Sequence, residues 1–281
     1  MRARRLSWAL VLAGCATAPP PAPQQSREVL LPDARFVISF GAADEAPAAM
    51  IASVLTAAEA PLKRWGSFAR PVSIRIRASH AELEAAAGRS HYPWLRAWAR
   101  PDTVDVQSPR TWSLSGASAH QVSELLAHEL THCLMYQLDG DQDVPLWFLE
   151  GMASVTSGQD YRPPEEELWR YLKQHPHADL LRDADTLYRD DSRIVYGAAH
   201  RAFALLLRRY GDDGIRGILA AMSTGQDFPS AFRTATQRSE ADYMQEFDRY
   251  IRSEAWRPAW PARAGRQVPD TRPDRKGGAR N

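Results

Sequence analysis

Cysteine is almost absent from this chain of 281 residues, which has only Cys15 and Cys133. Two cysteines give no disulfide framework, so a folded core must come from apolar burial. Net charge is absent as well: 35 basic and 34 acidic side chains leave a formal +1. No block of basic residues interleaved with aromatics stands in the body of the chain, and nothing in its charge would gather nucleic acid. Long apolar runs are missing too. The stretch Leu6 to Ala13 is too short to span a bilayer. No internal repeat is evident, which excludes a solenoid. What remains is a chain of ordinary apolar content, long enough for one domain or one domain in two lobes.

The N-terminus implies a compartment. Arg2, Arg4 and Arg5 precede the short apolar stretch, as in an export signal. The run Leu12-Ala13-Gly14-Cys15 resembles a bacterial lipobox, which implies a lipidated Cys15 as the first residue of a mature protein. Ala16 after that cysteine resembles the outer-membrane sorting pattern of lipoproteins. The expectation is a lipid-anchored protein of the bacterial cell envelope, at the outer membrane and facing the periplasm, with the membrane as a partner. Cys133 is then a lone thiol among leucines, and reads as a small buried core residue.

Residues 1–14 are thus expected to be a signal peptide and 15–30 a proline-rich tether. A folded domain follows over 31–256, in two lobes divided between 112 and 113, and 257–281 read as a disordered arginine-rich tail. In the first lobe Arg35 to Phe40 predicts a strand, and Glu45 to Trp65 has helical spacing. Val72 to Arg77 alternates as a half-buried strand does. A short helix over Ala81 to Ala87 ends at Gly88, and Thr103 to Val106 predict an edge strand. From Ser118 onward the pattern is helical. Ser118 and Gln121 have capping-box spacing, and Gly140 lies where a C-cap would stop that helix. Further helices are expected over Pro145 to Ser157, Glu165 to Gln174, Arg193 to Tyr210, Asp213 to Met222 and Glu240 to Ser253. The fold class is α+β, a small mixed α/β lobe followed by a mainly helical one.

Inside the helix that begins at Ser118 stands LLAHELTHCL, Leu125 to Leu134. Residues four apart on a helix differ by about 40° of rotation and about 6 Å of rise, so His128 and His132 share a face. Two imidazoles so placed suit one zinc ion, which in catalytic sites takes three protein ligands and a water. Glu129, about 100° round the helix, is not placed to complete that set, yet it can serve a metal-activated water as a base. This HExxH spacing is the zinc-peptidase signature. A third ligand is available in PLWFLEGMAS, where Glu150 is a carboxylate among Leu146, Trp147, Phe148, Leu149 and Met152. Asp143 is placed to cap that helix, and Gly151 would let it approach the HELTH helix closely. Seventeen residues lie between His132 and Glu150, enough for a loop and a return turn.

HELTH followed by WFLEGMA resembles the gluzincin metallopeptidases, and especially the bacterial peptidase MA-like family, with HELxH, then proline, WL and EGxA. The resemblance extends loosely from about Phe36 to Tyr250. It implies a zincin-like fold with the metal at the junction of the lobes. His128, His132 and Glu150 would be zinc ligands, one ion per chain, and Glu129 the catalytic base. The reaction implied is hydrolysis of a peptide or protein substrate by a metal-activated water. A second donor for the oxyanion is wanted. Tyr196 and His200, four apart on a predicted helix, are both candidates; Tyr196 matches the family's tyrosine better, and a core tyrosine is an equal reading. Ser154 departs from the pattern: several gluzincins carry there an acidic residue that orients a ligand histidine.

The strand at Val104 to Gln107 is expected to offer an edge for an extended substrate, with Trp112 beyond it. Trp94, Trp98 and Trp112 read otherwise as packing residues. His80, His91, His120, His175 and His177 lack ligand spacing. Two other readings stand beside the peptidase. One is a zinc-binding envelope lipoprotein without turnover, acting as a binding or assembly factor. The other is a coincidental motif in a structural protein.

Overall fold

The computed structural model describes residues 25–139, 143–159, 165–184, 186–187 and 191–253. Cys15 and the segments expected as signal peptide, most of the tether and the arginine-rich tail lie outside them, as does Gly140. Five strands form one sheet in the order β1-β2-β3-β5-β4. They are β1 (Gln25–Leu31), β2 (Ala34–Phe40), β3 (Val72–Arg77), β4 (Ala97–Arg100) and β5 (Thr103–Gln107). β1 and β2 pair antiparallel, as do β4 and β5, while β2–β3 and β3–β5 are parallel. The parallel connections carry α1 (Glu45–Glu59) and α2 (His80–Ala87). The helical part follows as α3 (Ala119–Asp139), α4 (Leu146–Ser157), α5 (Glu165–Gln174), α6 (Ser192–Ser223), α7 (Phe228–Thr236) and α8 (Glu240–Arg252). The architecture is therefore the expected α+β one, a mixed sheet and then helices.

Several sequence expectations hold in detail. α2 ends at Gly88 in the left-handed region, φ 65°. Ser118 and Gln121 form the reciprocal capping box: the Gln121 N–H donates to Ser118 Oγ at 3.2 Å, and the Ser118 N–H to Gln121 Oε1 at 2.9 Å. Gly211, at φ 64° and ψ −174°, breaks α6 into two helical segments. α1 stops at Glu59, and Ala60–Arg64 tighten into a 3₁₀ turn where Pro61 cannot continue the α ladder.

Four expectations need correction. Gln25–Leu31, assigned through residue 30 to the tether, pair with β2 as an outer strand. β5 is not an edge strand, because β4 lies outside it. β4 reads Ala-Trp-Ala-Arg, too short and too alanine-rich to announce itself. Asp143 does not cap α4, whose N-cap is Pro145 with no side-chain bond. Finally, α7 lies where no helix was expected.

The sheet's alternation builds two different faces. Ile74, Ile76, Val104, Val106 and Ala97 are buried on one face, with Phe36, Ile38 and Phe40 of β2. α1 and α3 pack together over the sheet there. The opposite face, under α2, is polar. Buried Asp105 accepts from Arg77 Nη2 and Arg100 Nη1, both at 2.6 Å. Arg100 also donates to the Ala86 carbonyl of α2. This pair of arginines ties β4 to β3 and α2, so the short edge strand is fixed in place.

α4 is buried between α3 and α6. Trp147 is enclosed by Phe148, Phe228, Phe232 and Tyr243, and its Nε1 donates to Glu240 at 3.1 Å. Gly151 brings α4 against α6 rather than against the HELTH helix. A Cβ there would lie 2.4 Å from the Ala199 carbonyl oxygen and 2.6 Å from Phe203 Cβ. Cys133 is fully buried under β4, its Sγ 3.1 Å from the Arg100 carbonyl oxygen, and burial pushes its thiol pKa up.

Gly151→Ala should therefore destabilise the protein by about 1–3 kcal/mol or more, because a backbone oxygen cannot move aside as a side chain can. Gly41→Ala, where a Cβ meets nothing within 4 Å and φ is −82°, should be neutral or slightly stabilising. Urea unfolding of both variants checks this. In Cys15→Ser protein, Cys133 should resist iodoacetamide until the chain is unfolded.

Candidate metal centre

α3 presents His128, Glu129 and His132 toward the start of α4, where Glu150 sits in the second turn. Leu126, Leu130, Leu134 and Met135 are fully buried on α3 and hold it in the core. Its polar residues therefore sit in a largely dehydrated junction. His128 is 5% exposed, Glu129 8% and His132 6%.

Three ligand atoms converge. Glu150 Oε2 lies 3.3 Å from His128 Nε2 and 3.6 Å from His132 Nε2, and the two Nε2 atoms are 3.2 Å apart. Among the described residues this is the one His/Cys/Asp/Glu cluster that could hold a metal ion. The fit to zinc can be tested from these distances. Ligand atoms on a tetrahedron with bonds of about 2.1 Å lie about 3.4 Å apart, close to the observed triangle. Glu150 Oε2 is buried and makes no hydrogen bond of good geometry among the described residues. One shared proton serves one pair of these atoms, whereas a divalent cation serves all three. The residues fit zinc.

The electrostatics agree. Burial works to raise the Glu150 pKa, but the two imidazoles beside it, His132 first, outweigh it and hold the carboxyl at about 2. Burial works to lower His132, and the charge of Glu150 overrides that and raises it. Glu129 differs from its neighbours: burial dominates and pushes its pKa up, against the two imidazoles and the Ala99 backbone N–H. It is a carboxylate held in the cleft without belonging to the ligand triangle.

The surrounding cleft has room of about 130 Å³. One wall is β4 with the loop before it, Trp94 to Ala99. Leu125 and Tyr136 of α3 and Tyr196 of α6 complete the lining. The Gln107 N–H donates to the Arg96 carbonyl at 2.8 Å, so in this antiparallel pair Trp98 and Arg100 are the next hydrogen-bonded positions. Ala97 and Ala99 therefore turn their backbone groups to the open side of the sheet, over the cleft.

Of the two oxyanion candidates, Tyr196 lines the cleft. His200 is not among the lining residues; its Nδ1 lies 2.6 Å from Ser154 Oγ, in the position where an acidic residue is missing. Trp112 does not line the cleft and donates instead to the Gln107 carbonyl at 2.9 Å. Trp94 and Trp98, read as packing residues, are lining residues. Sequence reasoning missed β4 and Tyr136. Tyr136 stands one turn beyond His132 and stacks on it, rings 6.2 Å apart and 21° from parallel, so the HELTH helix face extended by four residues would have found it.

No helix among the described residues is long and apolar enough to cross a membrane. No protein-family model and no curated protein matches the chain. Among solved structures it is similar to an M1 zinc metallopeptidase from Deinococcus radiodurans, at 12% identity and a TM-score of 0.43, covering 82% of this chain and 51% of that one. A two-domain M1 zinc metallopeptidase mutant bound to L-arginine gives 12% and 0.40, covering 82% and 52%. A mutant of the Deinococcus enzyme bound to a Tyr-Ser-Ala substrate gives 11% and 0.39, covering 82% and 51%. The chain spans about half the length of these structures. What its site can do follows from its own geometry.

His128→Ala, His132→Ala and Glu150→Ala should each lose stoichiometric zinc by elemental analysis, while Glu129→Gln keeps it. Zinc at about 100 times its Kd should stabilise the wild type by about 2.7 kcal/mol and these three alanine variants by far less. Zinc requires deprotonated imidazoles, and His132 holds its proton to higher pH than a free histidine. Zinc affinity should therefore already weaken on acidification above pH 6.5, which competitive chelator titration reads directly.

Proposed function

We propose that this protein is a zinc-dependent metallopeptidase that hydrolyses peptide bonds. The observation that carries the reading is that one cleft joins the His128-His132-Glu150 triangle, a buried carboxylate outside it, and the open edge of a strand. Zinc held by the triangle would supply Lewis acidity and an acidified water.

The chain's own groups perform the remaining tasks. Glu129, its basicity raised by burial, accepts the proton of the attacking water and returns it to the leaving amine. Binding alone has no use for a dehydrated carboxylate that is not a ligand. The outward N–H and C=O groups of Ala97, together with the Ala99 carbonyl, hold an extended substrate backbone by strand addition. This task falls to β4 and not to the interior strand Val104 to Gln107. Tyr196, on the opposite wall, donates to the oxyanion as charge develops. His200, bonded to Ser154, orients α6 against α4. Peptides or proteins are the substrates, and the Leu12–Cys15 run anchors the protein by lipid in the bacterial envelope. Acyl labelling that persists in Cys15→Ser would refute the anchor.

Glu129→Gln keeps size and hydrogen bonding. It should retain zinc and lower kcat by about 10² to 10⁴, measured on a mixed peptide library with both proteins zinc-loaded. Equal cleavage by the two would refute the mechanism. No cleavage by either, with both binding the same partner, would leave the binding-protein reading in its place. Ala97→Pro removes one outward donor without touching the β4–β5 ladder, and should raise KM about fivefold with little change in kcat.

A further inference from the structure

Few large apolar side chains are exposed among the described residues: Leu30, Leu114 and, at 41%, Trp94. Trp94 differs from the other two in its place, on the rim of the cleft that holds the metal ligands. It stands in the loop between Gly88 and β4. Its ring meets Tyr92 edge-on at 5.5 Å and Tyr196 edge-on at 6.3 Å. Tyr92 and Trp94 belong to the sheet lobe, Tyr196 to α6, so an aromatic wall runs from one lobe to the other at this end of the cleft.

We propose that Trp94 and Tyr196 form a specificity subsite that selects substrates with an apolar, preferably aromatic, side chain beside the bond to be cut. The inference rests on the peptidase reading and gives it a substrate class. Three observations support it. A half-exposed indole in a concave site gains most by covering its face with another apolar group, and aromatic rings prefer the offset or edge-on contacts that Trp94 already makes. The cleft of about 130 Å³ is shared by this rim and the metal ligands, so a side chain held by the rim stands beside the bond to be cut. Charge does not compete for the place. Arg96 is the basic residue nearest the rim in sequence, and its Nη1 is committed to the carbonyls of Pro93 at 3.0 Å and Leu95 at 2.9 Å. Arg96 lines this wall with its guanidinium so held, and Ala97 and Ala99 beside it are small enough to leave the wall to the aromatics.

The test separates this subsite from the peptidase activity. Acetylated Gly-Gly-Phe-Gly-Gly and Gly-Gly-Ala-Gly-Gly amides are titrated by calorimetry into zinc-loaded Glu129→Gln protein, which is not required to turn over. The Phe peptide should bind about tenfold tighter than the Ala peptide. Adding Trp94→Ala should bring that ratio down to about one or two at unchanged zinc content, and Trp94→Phe should keep most of it. Wild-type cleavage of a peptide library should show the same preference at one position flanking the cut, lost in Trp94→Ala. A ratio near one in the starting protein, a ratio untouched by Trp94→Ala, or equal weakening of both peptides would overturn the subsite. A wild type that cleaves no library peptide would overturn the peptidase reading instead, with the binding ratio still deciding the subsite.

Discussion

Two imidazoles and a carboxylate lie within 3.6 Å of one another in a junction that water barely reaches. Groups so dehydrated are costly unless each compensates the others, and a carboxylate is worth burying only with positive charge beside it. The fold is arranged to hold this triangle. α3 runs through the core, held there by the fully buried Leu126, Leu130, Leu134 and Met135, and carries His128, Glu129 and His132 into the junction. α4 supplies Glu150 from a segment otherwise made of large hydrophobics.

The position of α4 decides the triangle, and two anchors set it. Gly151 lets α4 press on the backbone of α6, at a distance that excludes any side chain. Trp147, one turn before that contact, is locked among aromatics of α7 and α8. Glu150 lies between these anchors, so its carboxylate is held by packing on both sides rather than by a loop. Trp65 adds a third tie, from the end of the 3₁₀ turn that follows α1 to Thr156, by an Nε1–H bond of 2.8 Å. The helical lobe thus fixes one ligand while α3 fixes the other two.

The sheet contributes by its edge. Asp105, buried between Arg77 and Arg100, clamps the β4–β5 hairpin on the face away from the metal centre. That clamp leaves the other face apolar for α3 and leaves the backbone of Ala97 and Ala99 open. Glu129 senses this strand directly through the Ala99 N–H, which moderates the rise in its pKa caused by burial. Base, strand edge and ligand triangle are thereby set in one frame, with the aromatic rim closing its end.

The sequence alone determined the local part of this result. Helical periodicity with capping residues marks α3, and on any helix His128 and His132 must share a face, so half of the site was legible from four residues of spacing. Glu150 was legible as a lone carboxylate in an apolar run, and Cys133 as a buried thiol. Tertiary structure decided what depends on partners distant in the chain. β4 carries no strand signal of its own, since a four-residue alanine-rich segment is stable only when β5 and its arginine clamp pair with it; its arrival outside β5 turned the expected edge strand into an interior one. Gly151 was read as a close approach, but whether to α3 or α6 depends on which helix lies behind α4. Trp94 and Tyr196 are a hundred residues apart, and no spacing rule could bring a loop of one lobe onto a helix of the other. Spacing acts within an element, where geometry is fixed by the backbone; the walls of the cleft come from packing between elements, which only the folded chain supplies.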